Sequence, residues 1–317
     1  MQDYAIEFDK VTKIYPTLGK PKNKLLMPLY YIYPYFGKVK ALKEISFKVK
    51  KGKTMGIIGP NGAGKTTICK LVSCIIFPES GDVFVFGKNS KENPNEIKGK
   101  IAIQSEDFPL YAQLTVLENI EFSAKLHGKV LDRKFLKLVL EKLDLEGDKN
   151  RLVEGFSMGM KVKANIARAL ALKPELLILD EPLANLDVFA REGVKELVDM
   201  LKKEGKTILL TSHHLNEIED LCDEILLIDR GKCLGTFKTD EFIRKVSKKI
   251  GFVRIYLRSR ERIESRYLER KSRGLYVLKV PISKIKEELK NLVKYNFTDI
   301  YVERLSLEEV VKWYLKK

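Results

Sequence analysis

The run Gly59-Pro60-Asn61-Gly62-Ala63-Gly64-Lys65-Thr66-Thr67 restricts this chain more than any other, because it fits G-x-x-x-x-G-K-[ST] in the right setting. The apolar Met55-Gly56-Ile57-Ile58 before it reads as a strand, and Ile68-Cys69-Lys70-Leu71-Val72 after it as a helix. Strand, tight glycine turn and helix together aim several backbone N–H groups and the positive end of a helix dipole at one spot, as a polyphosphate requires. Lys65 then reaches the β- and γ-phosphates, and the Thr66 hydroxyl ligates Mg²⁺. The competing reading, a chance glycine turn, arises in on the order of one random chain in a hundred of this length.

A length of 317 residues suits one large domain and a modest second one. No segment approaches the roughly 20 apolar residues of a membrane helix. The most apolar stretch, Leu25 to Phe36, is interrupted by Pro28 and Pro34. The start, Met1-Gln2-Asp3-Tyr4, lacks the charged-then-apolar layout of a signal peptide, so the chain is expected in the cytoplasm. Cys69, Cys74, Cys222 and Cys233 form no C-x-x-C pair and read as reduced, packed thiols. The net charge of +16 is uneven: from Glu241 onward stand 21 basic and 10 acidic residues, so +11 falls in the last quarter. That segment either faces anionic lipid or nucleic acid or forms a solvated surface.

Residues Tyr4 to Tyr15 and Ala41 to Val49 alternate apolar and polar, which predicts half-buried strands forming an antiparallel edge beside the phosphate-binding core. Between them lies a tyrosine-rich insertion, residues 17–38, fit for a membrane boundary, a protein interface or packing on its own domain. Strands are expected at Gly81 to Phe86 and at Lys100 to Ile103, the latter ending at Gln104, then helices at Val116 to Leu126 and Asp132 to Leu143. Phe156-Ser157-Met158-Gly159-Met160 precedes a helix over Lys161 to Leu172, for which Ser157 is a candidate N-cap.

Leu176-Leu177-Ile178-Leu179 is continuously apolar, like a strand buried on both faces, and delivers Asp180 and Glu181 to its carboxyl end. Thr207 to Leu210 repeats the pattern and ends at Thr211-Ser212-His213; Glu224 to Asp229 adds a strand. Alternating strands and helices indicate an α/β fold with a mostly parallel sheet. Past about Thr239 the pattern changes to strands at Val253 to Leu257, Ile263 to Leu268 and Leu275 to Val280, with helices at Ile285 to Val293 and Leu307 to Leu315. These suggest a small α+β accessory domain.

Taken in order, these motifs resemble the ATP-binding subunit of an ABC transporter over Tyr4 to about Thr239. Gly59 to Thr67 looks like the Walker A loop, Gln104 the Q-loop glutamine, Phe156 to Met160 the signature, and Leu176 to Asp180 the Walker B strand. Glu181 matches the catalytic glutamate, Asn185-Leu186-Asp187 the D-loop, His213 the switch histidine, and Tyr15 the aromatic that stacks on adenine. The resemblance implies a P-loop core of ABC type over residues 1–239, with an antiparallel edge subdomain and a helical subdomain over 105–172, and a basic accessory domain over 240–317. It implies ATP and Mg²⁺ as cofactors. The nucleotide would be held by Tyr15, Gly59, Pro60, Asn61, Gly62, Ala63, Gly64, Lys65, Thr66 and Thr67. The metal would be held by Thr66, Gln104 and Asp180, and the catalytic residues would be Glu181, His213 and Gln104, with Glu181 polarising the attacking water and His213 on the γ-phosphate.

In the family, Ser157 and Gly159 of one subunit would close on ATP held by a second copy or a paralogous ATPase subunit. Here Met158 stands where the family has glycine and Met160 where it has glutamine, which leaves the strength of that closure open. The ending Ile300 to Val310 is similar to the tail of ABC-2-type exporter ATPases, which pair with a separate integral-membrane permease, and the insertion after Tyr15 is similar to that of polysaccharide-exporting members. An export motor at the cytoplasmic face of the membrane follows, with the permease near Leu110 to Phe122. Two alternatives are a soluble ATPase acting on ribosomes or nucleic acid and a nucleotide-dependent regulator without turnover. Against the first, the chain has one ATPase unit and no sustained heptads, so no specific nucleic acid is expected.

Overall fold

The computed structural model describes residues 3–18, 37–212 and 215–315. The chain divides into two compact units, residues 1–213 with 220–237, and residues 214–219 with 238–317.

In the first unit the continuously apolar runs become wholly buried strands, β3 (Thr54–Ile58), β7 (Leu176–Asp180) and β8 (Thr207–Thr211). With β6 (Ile101–Gln104), β9 (Glu224–Asp229) and β10 (Lys232–Lys238) they form a six-stranded sheet of order β10-β9-β3-β8-β7-β6. The ladders from β9 through β6 are parallel. The alternating runs make a second sheet of order β2-β1-β4-β5, from β1 (Tyr4–Thr17), β2 (Gly37–Lys50), β4 (Ser80–Val85) and β5 (Lys88–Asn89). The helix after the glycine loop, α1 (Lys65–Val72), joins both sheets in one core. Its Ile68, Leu71 and Val72 belong to a buried cluster with Phe8, Ile45 and Val83 of the antiparallel sheet and Met55, Ile178 and Leu209 of the parallel one. A glycine loop mounted this way is fixed from behind by a packed interior.

After α2 (Pro94–Lys98) and β6, the chain builds α3 (Val116–Leu126) and α4 (Arg133–Lys142) before α5 (Met158–Ala171) returns to the sheet. Thr115 and Glu118 form a reciprocal capping box that starts α3, and Asp132 caps α4. α5 packs against α3, α4 and β6. α6 (Val188–Lys203) buries Val194, Leu197, Val198 and Leu201 along one stripe. Its Gly193 lies so close to α4 that an added Cβ would stand 2.0 Å from the Lys142 carbonyl oxygen. Glycine to alanine inside a helix ordinarily gains about 0.5–1 kcal/mol. At Gly193 the sign reverses: Gly193→Ala should cost about 1–3 kcal/mol by overpacking, read as a lower midpoint in thermal unfolding.

The second unit takes the first residues of α7 (Leu215–Leu221), then α8 (Thr239–Ile250) and the antiparallel sheet β12-β13-β11-β14, formed by β11 (Phe252–Ser259), β12 (Leu268–Ser272), β13 (Leu275–Pro281) and β14 (Phe297–Glu303). Ile255, Leu257, Tyr276, Leu278 and Val280 make its core with Leu292 of α9 (Ile285–Leu292). α10 (Leu307–Leu315) closes the chain, and its Glu309 pairs with Arg254 of β11.

The strand expected over Ile263 to Leu268 is not one. Ile263 is a buried plug in the core and Ser265 is bonded to Glu288 at 2.6 Å. The strand starts at Leu268 because Arg273 and Gly274, both at positive φ, make a two-residue hairpin turn that pairs Ser272 with Leu275. The helix α8 was also missed, although Gly251 ends it in the left-handed conformation that marks a helix stop.

Candidate active site

The glycine loop is determined by close backbone approach. A Cβ at Gly59 would lie 2.2 Å from the Ile228 carbonyl oxygen, and at Gly64, with φ +110, it would meet Leu42 Cδ2 at 2.6 Å and the Ala41 oxygen at 2.9 Å. Ala63 N donates to Pro60 O at 3.1 Å, and Gly231 N donates to Ala63 O at 3.0 Å, which ties the loop to the turn after β9. Pro60, Asn61 and Gly62 are exposed, Thr66 is half-buried and Thr67 buried. The buried ammonium of Lys65 donates to Gly59 O at 2.9 Å and Pro60 O at 3.4 Å, and lies 3.9 Å from Glu181 Oε1.

Facing it is a hydrogen-bonded chain at the ends of β6, β7 and β8. Parallel pairing sets Thr211 beside Asp180, where its hydroxyl donates to Asp180 Oδ1 at 2.5 Å. Ser105 donates to Oδ2 of the same buried carboxylate at 3.4 Å. Glu181 N donates to both the carbonyl and the hydroxyl oxygen of Thr211, at 3.1 and 3.0 Å. With φ +52, Glu181 holds a left-handed backbone conformation that a side chain other than glycine adopts only under constraint. Gln104 is 2% exposed, and among the described residues its Oε1 has no hydrogen-bond partner. A buried amide oxygen without a partner is an acceptor available to a cation or a water. Burial first, then the Asp180 and Glu181 carboxylates, push the Cys69 thiol well above its usual range. Cys69 therefore stays protonated inside α1, as a packed residue.

Sequence reasoning missed Thr211 and Ser105. The signal for Thr211 was present: a threonine ending the buried strand next in the sheet to the one that carries Asp180.

Tyr15 lies near the end of β1, with Lys13 Nζ 5.5 Å from its ring centroid. It is close enough to Lys70 of α1 to act on that ammonium, which bonding to Asp107 chiefly holds above its usual value. Ser157 and Gly159 are not brought to the loop. Ser157 caps α5 by accepting from Met160 N at 3.3 Å, and a Cβ at Gly159 would stand 2.8 Å from the Asn185 carbonyl oxygen. His213 lies outside the described residues, as does most of the insertion over 17–38.

A groove of about 590 Å³ opens beside the segment that follows Gln104, lined by Phe108, Leu110, Tyr111, Phe122, Leu126 and Arg168 among others. Tyr111 and Phe122 meet edge to face at 5.2 Å. Asn119 fixes this wall by exchanging hydrogen bonds with the Tyr111 backbone at 2.8 and 3.0 Å. The Arg168 guanidinium donates to Asn165 Oδ1 and to two backbone carbonyls, and burial lowers its pKa from the usual value.

The ABC transporter family profile matches residues 42–184. The chain is 40% identical over 209 residues to the linearmycin resistance ATP-binding protein LnrL of Bacillus subtilis, spanning 65% of this chain and 67% of that one. It is 38% identical over 218 residues to the bacitracin transport ATP-binding protein BcrA of Bacillus licheniformis, spanning 68% and 71%. Among solved structures, the dimeric ATP-binding cassette MJ0796 in a post-hydrolysis state with ADP and Pi superposes with a TM-score of 0.62 at 25% identity, covering 74% of this chain and 98% of that one. No helix of the described residues is long and apolar enough to cross a membrane. A phosphate loop backed by a strand end that carries the buried Asp180 and then Glu181, set in this sheet order, agrees with these likenesses, and the chain belongs to the ABC transporter family as one of its ATP-binding, ATP-hydrolysing subunits.

Proposed function

We propose that this chain is the motor of an exporter, in which two ATPase subunits close head-to-tail on ATP and move an integral-membrane permease from the cytoplasmic face. The observation that carries the chemistry is the Thr211 hydroxyl, which holds Asp180 by one bond and the backbone of Glu181 by another. It sets two adjacent carboxylates in different roles.

Lys65, the loop amides and the helix dipole of α1 bind the phosphates. Thr66, Asp180 and the unpartnered Gln104 Oε1 form an oxygen donor set suited to Mg²⁺. When bound, that ion neutralises phosphate charge. Glu181 orients the water that attacks the γ-phosphorus while the bond to the bridging oxygen breaks, and accepts its proton. His213 contacts the γ-phosphate, and Tyr15 stacks on adenine. Ser157 and Gly159 act on the ATP of the other subunit.

The groove between Leu110 and Phe122 suits an apolar, aromatic-bearing segment of the permease. Residues 1–239 serve as the motor, and 240–317 as its accessory domain. The names of the two relatives, one for linearmycin resistance and one for bacitracin transport, support a transport role of this kind.

The test is what co-purifies with tagged chain from detergent-solubilised native membranes after a high-salt wash, since salt strips contacts that are only electrostatic. A multi-span protein retained at equal copy number is expected. Recovery only in the soluble fraction, with ribosomal or nucleic-acid partners, would overturn the reading. Within the groove, Tyr111→Ala and Phe122→Ala together should reduce the retained permease by about tenfold or more while leaving ATP binding unchanged, read on the same preparation.

A further inference from the structure

We infer that Asn165, on α5, is a positioning residue of the ATPase site: it fixes the turn after Gln104 and, through Ser105 in that turn, sets how Gln104 and Asp180 face a cation. This rests on the metal role proposed above for those two residues.

Asn165 is 7% exposed and stands among the buried Ala164, Ile166 and Ala167 of α5. A buried amide is costly unless its polar atoms are all used. Here they are: Nδ2 donates to Ser105 O at 3.1 Å and to Phe108 O at 3.2 Å, and Oδ1 accepts from Arg168 at 2.7 Å. A guanidinium can only donate, so Arg168 decides which way the amide points. Phe108 N donates to Ser105 O at 3.1 Å, which makes residues 105–108 a closed turn. Asn165 therefore spans that turn from its first carbonyl to its last.

The turn reaches the site through one side chain. Ser105 is buried, and its hydroxyl donates to Asp180 Oδ2 at 3.4 Å and accepts from Asp107 N at 3.4 Å. The two oxygens of Asp180 are thus held unequally. Thr211, its neighbour in the parallel sheet, holds Oδ1 at 2.5 Å. Oδ2 depends on a longer bond from a turn, and such a bond is lost when the donor retreats by a few tenths of an ångström. Gln104 immediately precedes Ser105 at the end of β6, and its buried Oε1 has no partner among the described residues. One displacement of the turn moves the Ser105 hydroxyl and the Gln104 amide together.

A merely structural Asn165 would satisfy the Ser105 and Phe108 carbonyls and nothing more. Its removal would lower stability and leave cation binding unchanged. A positioning Asn165 changes what the cation adds to nucleotide affinity.

The test titrates the full chain with a fluorescent ATP analogue, once in EDTA and once in Mg²⁺; the ratio of the two affinities is the metal gain. Asn165→Ala should leave the affinity in EDTA within about twofold of the parent and lower the metal gain about tenfold. Ser105→Ala should do the same, and the double variant should lose no more than either alone, because both act on one path. Alanine suits a helix interior, so Asn165→Ala should fold, with a lower thermal midpoint. If it does not fold, Asn165→Ser, which keeps a donor, takes its place under the same criteria. An unchanged metal gain in either single variant overturns the inference, as do additive losses or equal losses in EDTA and Mg²⁺. Asp180→Asn tests the metal reading itself: if it keeps the full gain, that reading falls and the inference with it. If it removes the gain while Asn165→Ala keeps it, the inference alone falls.

Discussion

Glu181→Gln should lower ATP turnover by at least about 100-fold while leaving ATP binding within about twofold of the parent. The glutamine keeps the shape, the backbone bonds from Glu181 N to Thr211 and the left-handed turn, none of which involves the carboxylate. It loses the acceptor for the proton of the attacking water. ATP is then held but not consumed, so an ATP-bound dimer should accumulate, visible as a doubled mass that disappears on removing the nucleotide. Unchanged hydrolysis would take Glu181 out of this role and direct attention to His213. A loss of binding together with turnover would mean that the 3.9 Å approach of Glu181 to Lys65 is structural rather than chemical.

Lys65→Ala should act on the other side of the kinetics, lowering ATP affinity by about 10- to 100-fold and turnover with it. A charge-assisted hydrogen bond contributes about 1.5–3 kcal/mol, and Lys65 offers the phosphates a full positive charge in a dry site. Fold stability should change little, because the side chains that fix α1 and the loop from behind, Ile68, Leu71 and Val72, are untouched. Nucleotide titration by calorimetry, with thermal unfolding as control, separates the two. Retained affinity with lost turnover would place Lys65 at the transition state alone.

The parallel sheet and glycine loop were legible because long-range pairing there follows from local pattern. Leu176 to Leu179 is apolar without interruption, and the strand it forms is buried along its whole length. Gly59 and Gly64 are demanded by contacts with Ile228, Leu42 and Ala41, residues far away in sequence, yet the motif records their effect. Thr211 was less legible because its role exists only through register: a threonine at a strand end has many uses until Asp180 is paired beside it. The accessory unit was the least legible. Ile263 and Tyr267 look like strand residues, but one plugs the core and the other leads into the strand, because the Arg273-Gly274 turn set the register from the far side.

The ammonium of Lys65 is 7% exposed, as a residue, with Gly59 and Pro60 carbonyls as its partners. Stripping water from a lysine is a cost that most anion sites meet at the moment of binding. Here folding has met it already, and an arriving phosphate displaces two weak dipoles instead of a hydration shell. The loop is thus a dry, pre-aligned receptor for an anion. Its affinity should depend less on temperature and water activity than that of a site whose cation waits in solvent.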